Sequence, residues 1–134
     1  MREIKFRALE LDTGNMVYGY YVKEHGYWMN NGIPDLNQSV VRHYIYGESG
    51  TRYDICECTL GQFTGSYDKQ GNEVYEKDIL YHPRQGYRKV IYPMDNRCAF
   101  FGLEGIKGEK NTLQDTEQLY TVVGNMLCNQ DLFK

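Results

Sequence analysis

Three histidines, His25, His43 and His82, are the side chains whose type best suits acid–base or metal chemistry. None of them has a partner at a spacing that is diagnostic of a metal site, and no nearby serine or cysteine completes a nucleophile motif. We therefore predict surface or strand histidines. The sequence predicts no catalytic residue, and we expect a protein that is not an enzyme.

Two pairs of residues are spaced so that both members could share one face of a strand. Glu76 and Asp78 could act as acid and base, but an aspartate after a tight turn commonly accepts backbone N–H groups, and we predict that role. Cys56 and Cys58 lack zinc-ribbon spacing, which favours packed free thiols and no metal. The dispersed glycines form no phosphate loop, so no cofactor is expected.

Positive charge and aromatic rings are concentrated in two segments that could bind a partner. Arg84, Tyr87, Arg88 and Lys89 combine cations with a ring, which could meet phosphates, stack on a base or dock an acidic protein. The simpler alternative is a solvated loop. The second segment consists of aromatic residues: Tyr18, Tyr20, Tyr21, Tyr27 and Trp28.

Tyr20 and Tyr21 are neighbours, so they point to opposite faces of a strand and cannot both enter one core. Tyrosine and tryptophan are common in interfaces because they bury area and keep a polar group. We predict that Tyr21 and Trp28, together with the basic loop, form a binding surface for another protein. The same surface is expected to support a homo-oligomer.

Composition limits the class of protein. A chain of 134 residues favours one domain, residues 1–134, and 13 Tyr and 14 Gly against three Pro favour strands joined by tight turns. The formal charge of −3 disfavours nucleic acid as a partner, although a small barrel that binds single strands stays the alternative. No signal peptide or membrane span is recognisable, which predicts a cytoplasmic protein without a membrane partner.

Alternating polar and apolar residues predict an all-β fold. In the first half, residues 1–60, we expect a meander with a hairpin over 3–11 and 16–23, a loop over 33–38, and a strand over 53–60. The second half, residues 61–134, is predicted to form a five-stranded SH3-like barrel on which the meander packs. Its expected parts are a strand entering Phe63, strands at 73–81, 88–92, 98–103 and 119–123, a polar loop at 84–88, a flexible connection at 102–111, and a closing helical turn at 129–133.

The most distinctive segment is residues 63–80, FTGSYDKQGNEVYEKDIL, which we call the signature segment. Thr64 and Gly65 interrupt a strand, a polar turn runs from Asp68 and contains Gly71 for a positive φ, and the chain returns at Tyr75 before a second turn at Asp78. These residues, Thr64, Gly65, Asp68, Gly71, Tyr75 and Asp78, are predicted to be structural.

This segment, the opening REIKFRALELDTGNMVYGYYV and the closing LYTVVGNMLCNQDLF together resemble the YopX-like family of bacteriophage and prophage proteins. The resemblance implies a small, mostly β accessory protein of the bacterial cytoplasm without an assigned activity, and it makes a host or phage protein the expected partner. The family usually has Gly where this chain has Lys77. Either this position is not left-handed, or the chain tolerates strain of about 1 kcal/mol.

Overall fold

The structure is a computed structural model that describes residues 5–92, 101–112, 120–129 and 131. Its regular elements are antiparallel β-strands and one 3₁₀ turn, so the all-β prediction is confirmed. The chain divides into two compact units, Lys5–Leu60 and a second one that contains the described residues from Gly61 onward. Among the described residues, no helix has the length and apolar character needed to cross a bilayer.

The first unit contains the strands β1 Phe6–Leu9, β2 Met16–Asn30, β3 Ile33–Tyr46 and β4 Arg52–Asp54. They form an antiparallel arrangement with the order β4-β3-β2-β1. Its core contains Ala8, Ile45 and Ile55, against which half-buried side chains such as Phe6 and Tyr21 pack. Alternate residues of β1 and β2 supply this core, as the period-two pattern predicts.

β2 and β3 form one long hairpin, so the predicted loop over 33–38 is wrong. The hairpin turns at Asn31 and Gly32, whose φ values of 51° and 79° suit the tight two-residue turn that Asn-Gly favours. β4 pairs with β3 only from Tyr44 to Tyr46, and Pro34 lies outside this stretch. Pro34 is tolerated because no hydrogen bond to β4 requires the backbone N–H that proline lacks.

The register of this hairpin shifts near its tip. Tyr27 pairs with Ser39, whereas the next residue, Trp28, pairs with Asp35, so residues 36–38 form a bulge on β3. The Asp35 carboxylate accepts a hydrogen bond of 3.0 Å from the backbone N–H of Asn37 inside this bulge. The polar sequence that suggested a loop thus makes an irregular strand.

The predicted strand over 53–60 is also wrong, because β4 is short and a 3₁₀ turn, Glu57–Thr59, follows it. The Thr59 hydroxyl donates to the carbonyl oxygen of Cys56 at 2.6 Å and accepts from the N–H of Leu9 at 2.9 Å. This hydroxyl satisfies backbone groups of the turn and of β1, which favours the turn over a continued strand.

The second unit contains the strands β5 Gly61–Tyr67, β6 Glu73–Tyr75, β7 Asp78–His82, β8 Gly86–Ile91, β9 Gly102–Gly105, β10 Lys110–Thr112 and β11 Thr121–Asn125. β5 and β6 form a hairpin in which Phe63 pairs with Tyr75. The other strands form a five-stranded antiparallel sheet with the order β10-β9-β8-β7-β11. The core of the unit contains Val74, Leu80, Val90, Phe101, Leu103 and Tyr120.

Two predicted connections in this unit are ordered as strands. The loop expected over 84–88 is only a turn before β8, and the flexible connection expected over 102–111 is the β9–β10 hairpin, which turns at Gly108 with a φ of 84°. The start of the predicted strand at 98–103 and most of the closing helical turn at 129–133 lie outside the described residues. The SH3-like form of the second half, and the packing of the meander on it, stay predictions.

Candidate functional site

The basic segment predicted as a binding loop lies mainly on a strand. Arg88 and Lys89 are consecutive residues of β8, so their side chains leave opposite faces of the sheet. Nη1 of Arg88 lies 3.0 Å from Oε1 of Glu109, and Nζ of Lys89 lies 3.4 Å from Oε1 of Glu104. The structure therefore does not gather these cations into one basic surface.

The other two members of that segment are placed separately. The backbone N–H of Arg84 donates to Nδ1 of His82 at 3.0 Å, which orders the turn between β7 and β8. The Tyr87 ring packs against Tyr81, directly opposite in the sheet, with a centroid separation of 5.1 Å. Both contacts stabilise the local fold of the second unit.

Tyr21, predicted to face a partner, is instead a half-buried member of the first unit, whereas Tyr20 is 68% exposed. Tyr21 Oη lies 2.6 Å from Nδ1 of His43, whose Nε2 lies 3.2 Å from a Glu57 oxygen. A neutral imidazole that donates to the carboxylate accepts the tyrosine O–H at Nδ1. Burial, with a smaller effect of the Glu57 charge, raises the pKa of Tyr21.

Trp28 lies at the end of the β2–β3 hairpin and is 54% exposed. We call residues 20–46 the arm. The arm tip combines Trp28 with other exposed apolar side chains, namely Met29, Ile33 and Leu36. Such a group of exposed apolar residues typically marks an interaction site.

Residues 76–77, which connect β6 to β7 and which we call the signature turn, contain a strained residue. Lys77 has a φ of 77°, a left-handed conformation that is unfavourable for a lysine. Its N–H donates to the carbonyl oxygen of Val90 at 2.9 Å, and its own carbonyl accepts from Met126 at 2.8 Å. The Asp78 carboxylate accepts the N–H of Tyr75 at 2.8 Å, which closes the turn. Of the two alternatives for Lys77, the strained one is observed.

Beside this turn lies a cleft of about 370 Å³. Glu76 contributes a carboxyl group whose pKa is raised because burial outweighs the opposing effects of Lys77 and of a hydrogen bond with the Gln62 backbone. A titratable group shifted by burial at the edge of a cleft is a common sign of a binding site. The lining residues are Glu76, Lys77, Lys89, Val90, Ile91, Tyr92, Met126 and Leu127.

Sγ of Cys56 and Sγ of Cys58 lie 2.7 Å apart in the first unit. Within the described ranges, no three His, Cys, Asp or Glu side chains come together as a metal site would require. Because the two thiols lie at the 3₁₀ turn, the strand geometry expected for them does not apply.

The sequence model of the family described as YopX protein matches residues 5–134. The chain belongs to the YopX family. A crystal structure of protein EF1440 from Enterococcus faecalis is similar to this YopX-family chain, with a TM-score of 0.53, 18% sequence identity and coverage of 100% of both chains. At this identity the likeness shows the fold alone. No curated protein matches the chain in sequence.

The YopX-family signature residues occupy structural positions. The Thr64 hydroxyl donates to the carbonyl oxygen of Val74 at 2.8 Å, and Gly65 and Gly71 have φ values of 87° and 86°. Asp68 is 3% exposed and accepts several backbone hydrogen bonds.

Sequence reasoning did not identify the cleft, because its walls come from segments far apart in the chain. Its one sequence signal was Lys77, in a position where the YopX pattern usually has glycine.

Proposed function

We propose that this YopX-family protein is a phage or prophage accessory protein without a catalytic role, which binds protein and self-associates through the arm. The observation that supports this proposal is the apolar arm tip. Trp28 is 54% exposed, Ile33 69% and Leu36 74%. Three large apolar side chains at the end of one hairpin form a surface that gains free energy when a partner covers it.

The backbone of the arm supports the same function. β1 covers β2 only from Met16 to Gly19, and β4 covers β3 only from Tyr44 to Tyr46. Beyond these pairs, and within the described part of the chain, the arm is a two-stranded ribbon. Such a ribbon is marginally stable by itself, and its outer edges present backbone groups that another chain can pair with.

A second copy of the chain is the partner that the charges of the arm favour. Residues 20–46 contain two basic side chains, Lys23 and Arg42, and two acidic ones, Glu24 and Asp35. Glu24 lies opposite Arg42 in the hairpin. A symmetric contact needs a self-complementary surface, and an arm without net formal charge can meet its own copy without net repulsion.

The charges of β8 argue against the alternative, a small barrel that binds single-stranded nucleic acid. Two of its expected phosphate contacts, Arg88 and Lys89, already lie beside Glu109 and Glu104. The formal charge of the chain is −3. We expect no binding of a single-stranded oligonucleotide even at low salt, where phosphate contacts are strongest.

Size-exclusion chromatography with light scattering tests the proposal. The mass of the wild-type protein is expected to rise with concentration, and the variant Trp28→Ser with Ile33→Ser is expected to remain monomeric. Ile106→Ser is a matched control, because Ile106 is 49% exposed and lies outside the arm. A wild-type protein that is monomeric at every concentration, or a control as defective as the tip variant, would contradict the proposal.

A further inference from the structure

The cleft beside the signature turn lies within the second unit and takes no part in the proposed self-association. Its volume of about 370 Å³ falls within the range of small-molecule sites. The apolar wall comes from the end of β8 and from the segment after β11: Val90, Ile91, Tyr92, Met126 and Leu127. Of these, Val90 is 1% exposed, because its side chain lies in the core of the second unit. Two lysines and one glutamate complete the lining: Lys77, Lys89 and Glu76.

The backbone at Lys77 is strained, and its neighbours hold it in that state. Among the described residues other than glycine, only Asn31 shares a positive φ, and asparagine accepts that conformation in a hairpin turn. Lys77 is fixed by hydrogen bonds of its N–H to Val90 and of its carbonyl to Met126. Both of these partners also line the cleft. Strain that is fixed from two sides next to a cleft is a feature of ligand sites.

The charges of the lining favour an anion over a cation. Lys77 and Lys89 are two positive groups, and burial makes ionisation of Glu76 less favourable. Glu104 lies 3.4 Å from Lys89 but is not part of the lining, so a ligand anion can share that ammonium group. A cation would be repelled by both lysines and could be attracted only by the single carboxyl group of Glu76.

We propose that this cleft binds a small amphipathic anion, with its acidic group at Lys77 and Lys89 and its apolar body against Ile91, Met126 and Leu127. The chemical class is a carboxylate, sulfonate or phosphate joined to an aromatic or aliphatic group. Each charge-assisted contact adds affinity, and the apolar wall adds the free energy of burying the body.

A pair of fluorescent probes tests the site. 8-Anilinonaphthalene-1-sulfonate carries the acidic group, and N-phenyl-1-naphthylamine has the same rings without it. We expect saturable binding of the sulfonate, and we expect Lys77→Gly to weaken it about tenfold, the size of one charge-assisted contact. Lys77→Gly should leave the affinity for the neutral probe unchanged, because glycine keeps the turn conformation and removes only the ammonium group.

The controls separate the cleft from other surfaces. Lys69→Met removes an exposed lysine from the turn between β5 and β6. The tip variant, Trp28→Ser with Ile33→Ser, removes apolar surface from the arm. Both should bind the sulfonate like the wild type.

The proposal is overturned if a folded Lys77→Gly protein keeps full affinity, or if the affinity is lost in the tip variant instead. The two proposals can fail separately, because self-association is measured by mass and the cleft by probe binding. A wild-type protein that is monomeric but binds the sulfonate would contradict the proposed function and leave the cleft proposal supported.

Discussion

The carboxylate of Asp68 accepts a hydrogen bond of 2.9 Å from the backbone N–H of Val122, a residue 54 positions further along the chain. The same carboxylate accepts the N–H groups of Gln70 and Asn72 at 2.9 and 2.8 Å. One buried side chain thus closes the turn between β5 and β6 and fixes it to β11. The N–H of Lys69 adds a backbone hydrogen bond to Tyr120 at 2.9 Å.

Replacing Asp68 should destabilise the second unit. In Asp68→Asn an amide must take the place of a carboxylate that accepts from three backbone N–H groups, so we expect the free energy of unfolding to fall by about 2–3 kcal/mol. Urea denaturation measures the change. Asp12→Asn is the matched control, because Asp12 is exposed, and it should be near neutral. Equal stability of the two variants would contradict the anchoring role.

The same contact predicts sensitivity to acid. Burial by itself would raise the pKa of Asp68, but the hydrogen bonds from Val122, Asn72 and Gln70 outweigh it, and the pKa is lowered from 3.8. The stabilisation is therefore complete above the unfolded pKa and is lost as the pH falls through the lower folded value. Urea midpoints measured between about pH 5 and 2 should fall less in Asp68→Asn than in the wild type.

Relief of the strain at Lys77 should stabilise the fold. Lys77→Gly removes a left-handed strain of about 1–2 kcal/mol, and the greater freedom of glycine in the unfolded chain offsets about 0.5–1 kcal/mol of it. We expect a net gain of up to about 1.5 kcal/mol in the free energy of unfolding, measured by heat or urea. Lys77→Ala keeps the strain and should show no such gain. A loss of stability in the glycine variant would show that the lysine side chain itself supports the turn.

Substitution by alanine should affect stability very differently at two glycines of β2. A Cβ added at Gly19, whose φ is 153°, would collide with the carbonyl oxygen of Tyr46, so Gly19→Ala should destabilise the first unit by about 2 kcal/mol or more. At Gly26 nothing lies within 4 Å of the added Cβ, and Gly26→Ala should be nearly neutral. Circular dichroism melting curves of the two variants give the comparison.

The fold was predictable where one face of a strand enters a core. Phe6 and Ala8 alternate with polar residues in β1, and the hairpin that their spacing predicts, together with the spacing of Met16, Tyr18, Tyr20 and Val22, is present. In β2, however, Val17 and Tyr21 pack on the core, whereas Tyr18, Tyr20 and Val22 are exposed. Residues 22–42 of the arm are mostly exposed on both faces, so no core selects one face there, and the pattern around Pro34 looked like a loop.

The sites were less predictable, because they depend on contacts between distant segments. Arg88 lies beside Glu109, 21 residues away, and this pairing is not visible in the local sequence. The cleft combines residues 76–77, 89–92 and 126–127. By contrast, the signature segment contains its own turn chemistry in Asp68 and Gly71, which is why its structural role could be predicted.

The bulge at residues 36–38 limits how far strand pairing can spread along the arm. A long, regular, exposed edge can recruit one chain after another into a growing fibre, whereas a bulge breaks the ladder after a few residues. A second arm can therefore pair only with the regular stretch on one side of the irregularity. This feature favours an assembly of fixed, small size and protects an exposed apolar hairpin from open-ended aggregation.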